Sequence, residues 1–360
     1  MDPLPPSKAF TGIRKILLMK LKHIGDVLLT TPCIRALHET FPEARISILV
    51  DEGTQSVVEH HPLLEEVILF PRRRMKGPSL GRIARECEFA MGLRQRGFDM
   101  TVDLTSADRP AWLAWFSGAR YRLAYDLRKG FIGKRWMYTH PTPYPTDPDL
   151  HEVKKNLGVI EPFGITTSSP KMEMHFSKED EQSIRETLQT LGVTDGTFAV
   201  AHPTSRWLFK CWEDDRFAAL IDWLQTTNNT PVIVTCGPDA KELERVNKVL
   251  ALCKSNPRTI LGKLSLTQWA ALVKRSKLFV GVDSAPMHIA ASQGIPSVAF
   301  FGPTGFHNWQ PWAVPNAVLV HDCPCSRDRK PHCDWTKTRA CMSAITLEEA
   351  QQAVGRLLNK

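Results

Sequence analysis

A chain of 360 residues, 42% of them hydrophobic, is too long for one compact domain of ordinary size and carries enough apolar side chain to fill two cores. Its formal net charge of +8 is concentrated, because residues 71–140 hold 15 Lys or Arg against 6 acids, and such a surplus attracts a phosphorylated glycan, an anionic membrane surface or nucleic acid. No apolar run reaches the ~18 residues of a membrane-spanning helix, and the Pro-rich start Met1–Phe10 lacks a signal-like apolar region, so a cytoplasmic protein is expected.

The first half reads as alternating strand and helix. An apolar run, Ile13–Met19, leads through a loop, Lys20–Gly25, into a helix-period stretch, Val27–Phe41. Further strands are predicted at Arg45–Val50, Glu66–Phe70 and Asp99–Leu104, with helices at Ser79–Arg94 and Ala107–Phe116; this alternation implies a parallel sheet. Thr139–Asp149 is Pro-rich and Thr166–Pro170 is turn-rich, which puts a domain boundary between Thr166 and about Lys178.

The second half repeats the pattern: strands Thr197–Ala201, Pro231–Cys236, Leu278–Val282 and Ser297–Phe301, and helices Asp214–Gln225, Ala240–Leu252, Leu266–Lys274, Pro286–Gln293 and Leu347–Leu358. The expected architecture is α/β: two Rossmann-like doubly wound domains facing across a cleft. Residues 1–175 form the first, residues 176–345 the second, and residues 346–360 a C-terminal helix that packs back toward the first. Neither half has G-x-G-x-x-G after its first strand, which disfavours a dinucleotide-dependent oxidoreductase. Cys33, Cys87, Cys211, Cys236 and Cys253 are scattered singly, as suits reduced thiols.

Ligands of open α/β sheets sit beyond the carboxyl ends of strands, so the residues there are the candidates. After the first strand comes Lys20-Leu-Lys-His-Ile-Gly-Asp26; Asp26 suits either a catalytic carboxylate or a helix N-cap. His202-Pro-Thr-Ser-Arg-Trp-Leu-Phe-Lys-Cys-Trp212 gathers Thr204, Ser205 and Lys210, which is phosphate-binding chemistry. In Gly281-Val-Asp-Ser-Ala-Pro-Met-His288, Asp283 or Ser284 can cap a helix whose free N–H groups, with Ser284 and His288, form a plausible diphosphate clamp. Cys236-Gly-Pro-Asp-Ala-Lys-Glu242 opens another helix, where Glu242 and Glu244 compete to hold ribose hydroxyls. Cys323, Cys325, Cys333 and Cys341, with His332, are possible zinc ligands at a spacing that matches no standard pattern.

His23–Pro32, Pro203–Trp212, Gly281–Ala291 and Phe301-Gly-Pro-Thr304 together resemble the lipopolysaccharide core heptosyltransferase family, and most closely its heptosyltransferase III branch, over Arg14–Leu358. The resemblance implies a glycosyltransferase B fold, with ADP-L-glycero-β-D-manno-heptose held by the C-terminal half and a heptosylated lipid A core acceptor by the N-terminal half. It implies an inverting reaction with Asp26 as general base and Lys210 neutralising the diphosphate; Thr204 and Ser205 bond to that diphosphate, and Asp283, Ser284, Ala285 and His288 line the donor pocket. No divalent metal and no other cofactor is expected. Arg72, Arg73, Arg74 and Lys76 are expected to meet phosphates of the inner core and the anionic inner leaflet, making the protein peripheral on the cytoplasmic face of the inner membrane.

Two other readings keep part of this evidence. A heptosyltransferase of branch I or II, or a nucleotide-sugar epimerase, would retain the donor loops. A non-enzymatic polyanion-binding protein would use the basic segment, but that segment has no recognisable nucleic-acid module, so nucleic acid is not expected as a partner.

Overall fold

The computed structural model describes residues 10–72, 79–127, 130–321 and 340–358. The chain divides after His175 into two compact units.

The first unit comprises β1 (Lys15–Lys20), α1 (Ile24–Leu28), α2 (Thr31–Thr40), β2 (Arg45–Asp51), β3 (Leu64–Phe70), α3 (Ser79–Gln95), β4 (Met100–Asp103), α4 (Asp108–Phe116), β5 (Tyr121–Asp126), β6 (His140–Pro143) and α5 (Glu152–Leu157). Its six strands are parallel in the order β3-β2-β1-β4-β5-β6. A parallel sheet covered on both faces needs strands that are apolar throughout; Ile16, Leu17, Leu18 and Met19 of β1 are accordingly fully buried, with Ile16 registered against Ile46 on one side and Met100 on the other.

Two sequence expectations change here. The predicted helix Val27–Phe41 is two helices, α1 and α2: Pro32 lies in the first turn of α2, and a proline lacks the N–H that a continuous helix would need there. The Thr30 and Thr31 hydroxyls donate back to Val27 and Leu28 carbonyls at 2.7 and 2.9 Å, closing the break. The Pro-rich stretch contains a strand, β6, which among the described residues pairs only with β5. Pro141 and Pro143 are two apart, so their missing donors lie on the same side, and an edge strand can leave that side unpaired.

The second unit comprises α6 (Lys178–Leu191), β7 (Ala199–His202), α7 (Asp214–Thr226), β8 (Val232–Cys236), α8 (Ala240–Leu252), β9 (Arg258–Leu261), α9 (Leu266–Lys274), β10 (Leu278–Val282), α10 (Ala285–Ser292), β11 (Ser297–Phe300), α11 (Phe306–Trp309), β12 (Asn316–Leu319), α12 (Ala340–Ala344) and α13 (Leu347–Leu358). Its parallel sheet runs β12-β11-β10-β7-β8-β9, the same order as the first when strands are counted from the start of each unit. In both sheets the winding reverses beside the first strand, between β1 and β4 and between β7 and β10. Such switch points open a crevice at the strands' carboxyl ends.

The core of the second unit is built around Trp212, stacked on Phe300 at 4.4 Å, whose indole N–H donates to the Ile345 carbonyl at 3.0 Å. The segment expected to pack back toward the first domain, α13, buries Ala350, Ala353 and Val354 in this same core. Three small or branched side chains on one face let the helix lie close against α7, β11 and β12, which is where its apolar stripe is satisfied. No described helix is long and apolar enough to cross a membrane.

Candidate functional site

At the carboxyl end of β1, a lysine ends an otherwise apolar strand. Lys20 is 2% exposed, and its Nζ donates to the Leu104 carbonyl at 3.1 Å, Asn156 Oδ1 at 2.9 Å and Glu152 Oε1 at 3.4 Å. A buried ammonium needs such partners. Asp26 lies in the first turn of α1, whose N-cap position belongs to His23 and carries no side-chain cap. Asp26 is therefore not the cap that its position suggested, and no hydrogen bond or ion pair to its carboxylate is found among the described residues. Burial raises its pKa above the ordinary aspartate value; Lys20 opposes that rise and Glu152 adds to it. A half-buried carboxylate with no structural partner is available to accept a proton.

Beyond β7 and β10 of the second unit, Lys210 and Asp283 meet: Lys210 Nζ donates to Asp283 Oδ2 at 2.6 Å, and the same oxygen accepts from Thr304 Oγ1 at 2.7 Å. Lys210 ends a short 3-10 turn, Leu208–Lys210. Arg245 holds the loop that follows, donating to the Trp212 carbonyl at 2.9 Å and pairing with Asp214 at 2.7 Å. Of the three donors of the ammonium, Asp283 takes one.

Thr204 is fully buried and its hydroxyl donates to Glu242 Oε2 at 3.0 Å. Burial raises the Glu242 pKa, against the lowering effect of hydrogen bonds from Thr204 and the Gly237 N–H. A Cβ on Gly237 would lie 2.9 Å from Glu242 Oε1, so the carboxylate rests directly on this backbone. Asp239 caps α8, leaving Glu242 to face β7. Glu244, its rival in the sequence, pairs with Lys248 at 2.8 Å on the exposed side of the helix. Two residues along a helix are ~200° apart, so only one of the two can point at Thr204.

Ser205 is buried, and its hydroxyl accepts from the Trp207 N–H at 3.3 Å. Ser284 occupies the N-cap position of α10 without a side-chain cap; its hydroxyl donates instead to the Val282 carbonyl at 3.1 Å. The expected hydroxyl cap is thus absent, and the first N–H groups of α10, from Ala285 on, are not taken by it. His288 is buried in the first half of α10, its ring centroid 6.2 Å from that of Trp309. Gly281 lets β10 approach β7 closely, because a Cβ there would fall 2.4 Å from Phe279 Cζ and 2.9 Å from the His202 carbonyl oxygen.

Of the expected acceptor residues, Arg72 is exposed and paired with Asp51 at 2.6 Å; Arg73, Arg74 and Lys76 lie outside the described residues, as do Cys323, Cys325, His332 and Cys333. Cys341 is buried against Gly302. One His/Glu cluster escaped the sequence reading: ligand atoms of His61, Glu173 and His175 lie within 4.8 Å of one another. His61 Nδ1 accepts from the Leu63 N–H at 3.3 Å. A neutral ring that accepts at Nδ1 carries its proton on Nε2 and has no lone pair there for a metal, so the geometry does not favour an ion. Lys20, Asn156, Glu152 and Thr304 were also missed. Two signals were visible: the lone Lys closing the run Ile16–Met19, and the motif Phe301-Gly-Pro-Thr304, which was given no role of its own.

The chain matches the family Glycosyltransferase family 9 (heptosyltransferase) over residues 87–338. Lipopolysaccharide heptosyltransferase 3 of Escherichia coli strain K12 is 33% identical over 295 residues, covering 81% of this chain and 83% of that protein. A second Escherichia coli protein of the same name is 32% identical over 337 residues, covering 93% and 96%. Among solved structures, a family 9 glycosyl transferase from Veillonella parvula superposes with a TM-score of 0.81 at 25% identity over 96% of this chain and 97% of that one. The E. coli ADP-heptose lps heptosyltransferase II superposes with a TM-score of 0.73 at 17% identity over 96% and 98%. The fold is thus the glycosyltransferase B fold of these structures.

Proposed function

Because the chain belongs to glycosyltransferase family 9, the heptosyltransferases, we propose that it moves a heptose from ADP-L-glycero-β-D-manno-heptose to an inner-core heptose of lipopolysaccharide in one inverting displacement. Asp26 takes the proton of the acceptor hydroxyl as its oxygen bonds to the anomeric carbon. The bond from that carbon to the β-phosphate oxygen breaks, and ADP leaves. A carboxylate whose pKa is lifted by burial is a stronger base than a solvated one.

The observation that carries this reading is the triad Lys210, Asp283 and Thr304 at the switch point of the second sheet. Asp283 holds the ammonium in place while its remaining donors, with the Ser205 hydroxyl and the first N–H groups of α10, suit the charge that develops on departing ADP, and Thr204 acts there through Glu242, to which its hydroxyl donates. Glu242 suits the ribose hydroxyls, while Ser284, Ala285 and His288 line the same pocket. The positive potential is supplied by side chains and a helix N-terminus, so the reaction is expected to need no divalent metal.

The III branch is favoured because the relatives at 33% and 32% identity both carry that name. The acceptor is lipid-linked, so the enzyme works peripherally on the cytoplasmic face of the inner membrane, with Arg72, Arg73, Arg74 and Lys76 toward core phosphates. The test is to supply ADP-heptose, ADP-glucose and UDP-glucose in turn with a heptosylated core acceptor. Transfer from ADP-heptose alone, with an inverted anomeric centre by NMR, is expected; a retained configuration or a preference for another donor would overturn the reading.

A further inference from the structure

Among the described residues of the first unit, most of the exposed large apolar side chains fall in one region. Ile83, Cys87 and Met91 of α3, spaced four residues apart, form an exposed apolar stripe, the reverse of what a solvated helix face requires. Beside it, α4 exposes Trp112, Trp115 and Phe116, and the following segment exposes Ile132 (98%) and Trp136 (79%). The rings form one patch: Trp112 stacks on Phe131 at 5.2 Å and meets Phe116 at 5.9 Å, and Phe116 meets Trp115 at 4.9 Å. Three of the four exposed tryptophans among the described residues belong to it.

Between α3 and α4 runs a groove of about 490 Å³, walled by Phe70, Ile83, Ala90, Trp112, Leu113 and Phe116. The polar side chains beside it, Arg109 and Glu86, pair with each other at 3.1 Å. Cations outnumber acids around the patch: Arg94 lies against the carboxyl end of α4 at Phe116, Arg120 is exposed just beyond that helix, and Arg135 is exposed next to Trp136, while of the acids nearby Glu86 is paired with Arg109 and Asp126 with Arg135 at 3.4 Å. These residues belong to the stretch with 15 basic against 6 acidic residues.

The geometry points to the α3–α4 face as the surface that docks on an anionic phospholipid leaflet, with Trp112, Trp115, Phe116 and Trp136 entering the headgroup–acyl boundary and the arginines meeting lipid phosphates. Indole rings beside guanidinium groups suit that boundary, where one end of the side chain is apolar and the other wet. Charge complementarity selects a leaflet over an uncharged partner. The assignment deepens the proposed function, on which it rests for the presence of a membrane-borne acceptor, by naming the surface that brings the enzyme to it.

The test sediments the full chain with vesicles of phosphatidylethanolamine and phosphatidylglycerol, and with phosphatidylcholine alone. The expected result is partition to the anionic vesicles, tryptophan quenching by brominated acyl chains, and a loss of partition by about tenfold in Trp136→Ser and more in Trp112→Ser/Trp115→Ser. Trp136 is too exposed for its replacement to unfold the chain. Both variants should still glycosylate a lipid-free core oligosaccharide at the wild-type rate. Unchanged partition in both variants, no quenching, binding abolished by salt but indifferent to these substitutions, or self-association of the chain through this face would each overturn the inference. Partition is read without turnover, so a chain that docks but transfers no heptose would contradict the proposed function and not the docking face.

Discussion

Lys210 Nζ and Asp283 Oδ2 lie 2.6 Å apart, and the aspartate oxygen is shared with Thr304. The pair is mostly shielded, with side-chain exposures of 17% and 7%, so the contact fixes where the ammonium sits. A lysine held this way is a point charge in a set position and meets an anion without first being ordered.

Replacing Lys210 with Ala should weaken ADP binding by roughly 10- to 100-fold, the worth of a lost charge-assisted contact. It should also lower the melting temperature, because Asp283 is left buried without its cation. Calorimetric titration with ADP and thermal unfolding read the two effects separately. Unchanged ADP affinity would remove Lys210 from the donor site.

The Glu242 carboxylate packs on Gly237 and accepts from Thr204. Gly237→Ala would put a methyl group 2.9 Å from Glu242 Oε1 and displace it, so this variant and Glu242→Gln should weaken binding of ADP more than that of pyrophosphate, which has no ribose. Equal losses for both ligands would place Glu242 outside the ribose contact.

Gly281→Ala is expected to destabilise the second unit by about 1–3 kcal/mol, the usual cost of overpacking, because the new methyl meets the backbone oxygen of His202 and a packed Phe279 ring. Thermal unfolding measures it. A variant as stable as the wild type would mean that β7 and β10 can separate freely.

Burial pushes His202 down to about 3, and burial together with the neighbouring His175 pushes His61 down to about 4, from an ordinary value of 6.5. Both are neutral in the folded chain, whereas the unfolded chain binds protons at these positions below pH 6.5. Their stabilising effect is therefore complete above that pH and is lost as pH falls toward 4, by up to ~1.4 kcal/mol per pH unit for each group. Urea unfolding from pH 7 to 4.5 should show this slope, reduced in His61→Gln. A slope that His61→Gln leaves unchanged would assign it to other groups.

Much of the fold was legible because both sheets are parallel and buried, so strands such as Leu278–Val282 appear as uninterrupted apolar runs. The missed strands lack that signature. β5 intersperses Arg122 and Asp126 among its apolar residues, β6 contains two prolines, β9 is a short edge strand beginning with an exposed Arg258, and β12 is a four-residue edge strand buried only at Leu319. Helix α6 is polar enough to hide, yet Ser177 and Asp180 form a capping box, the spacing that could have revealed it. At the site, sequence motifs brought out Asp26, Lys210 and Asp283 but could not choose between Glu242 and Glu244. That choice depends on which face of α8 turns toward Thr204. Thr304 and Lys20 were hidden for a similar reason: their partners are 21 and 136 residues away, at Asp283 and Asn156.

Asp26 gives the sharpest test, because among the described residues no hydrogen bond or ion pair ties its carboxylate to the fold and burial disfavours its charge. Asp26→Asn removes the charge and keeps the shape. The decisive measurement is acceptor-dependent release of ADP from ADP-heptose by wild type and Asp26→Asn, with and without EDTA, alongside calorimetry of ADP binding. The account predicts release by the wild type that EDTA does not change, a fall of about 100- to 10,000-fold in the variant, and nearly equal ADP affinity in the two. Undiminished release by Asp26→Asn, or a matching loss of ADP affinity, would contradict the assignment of Asp26 as the base.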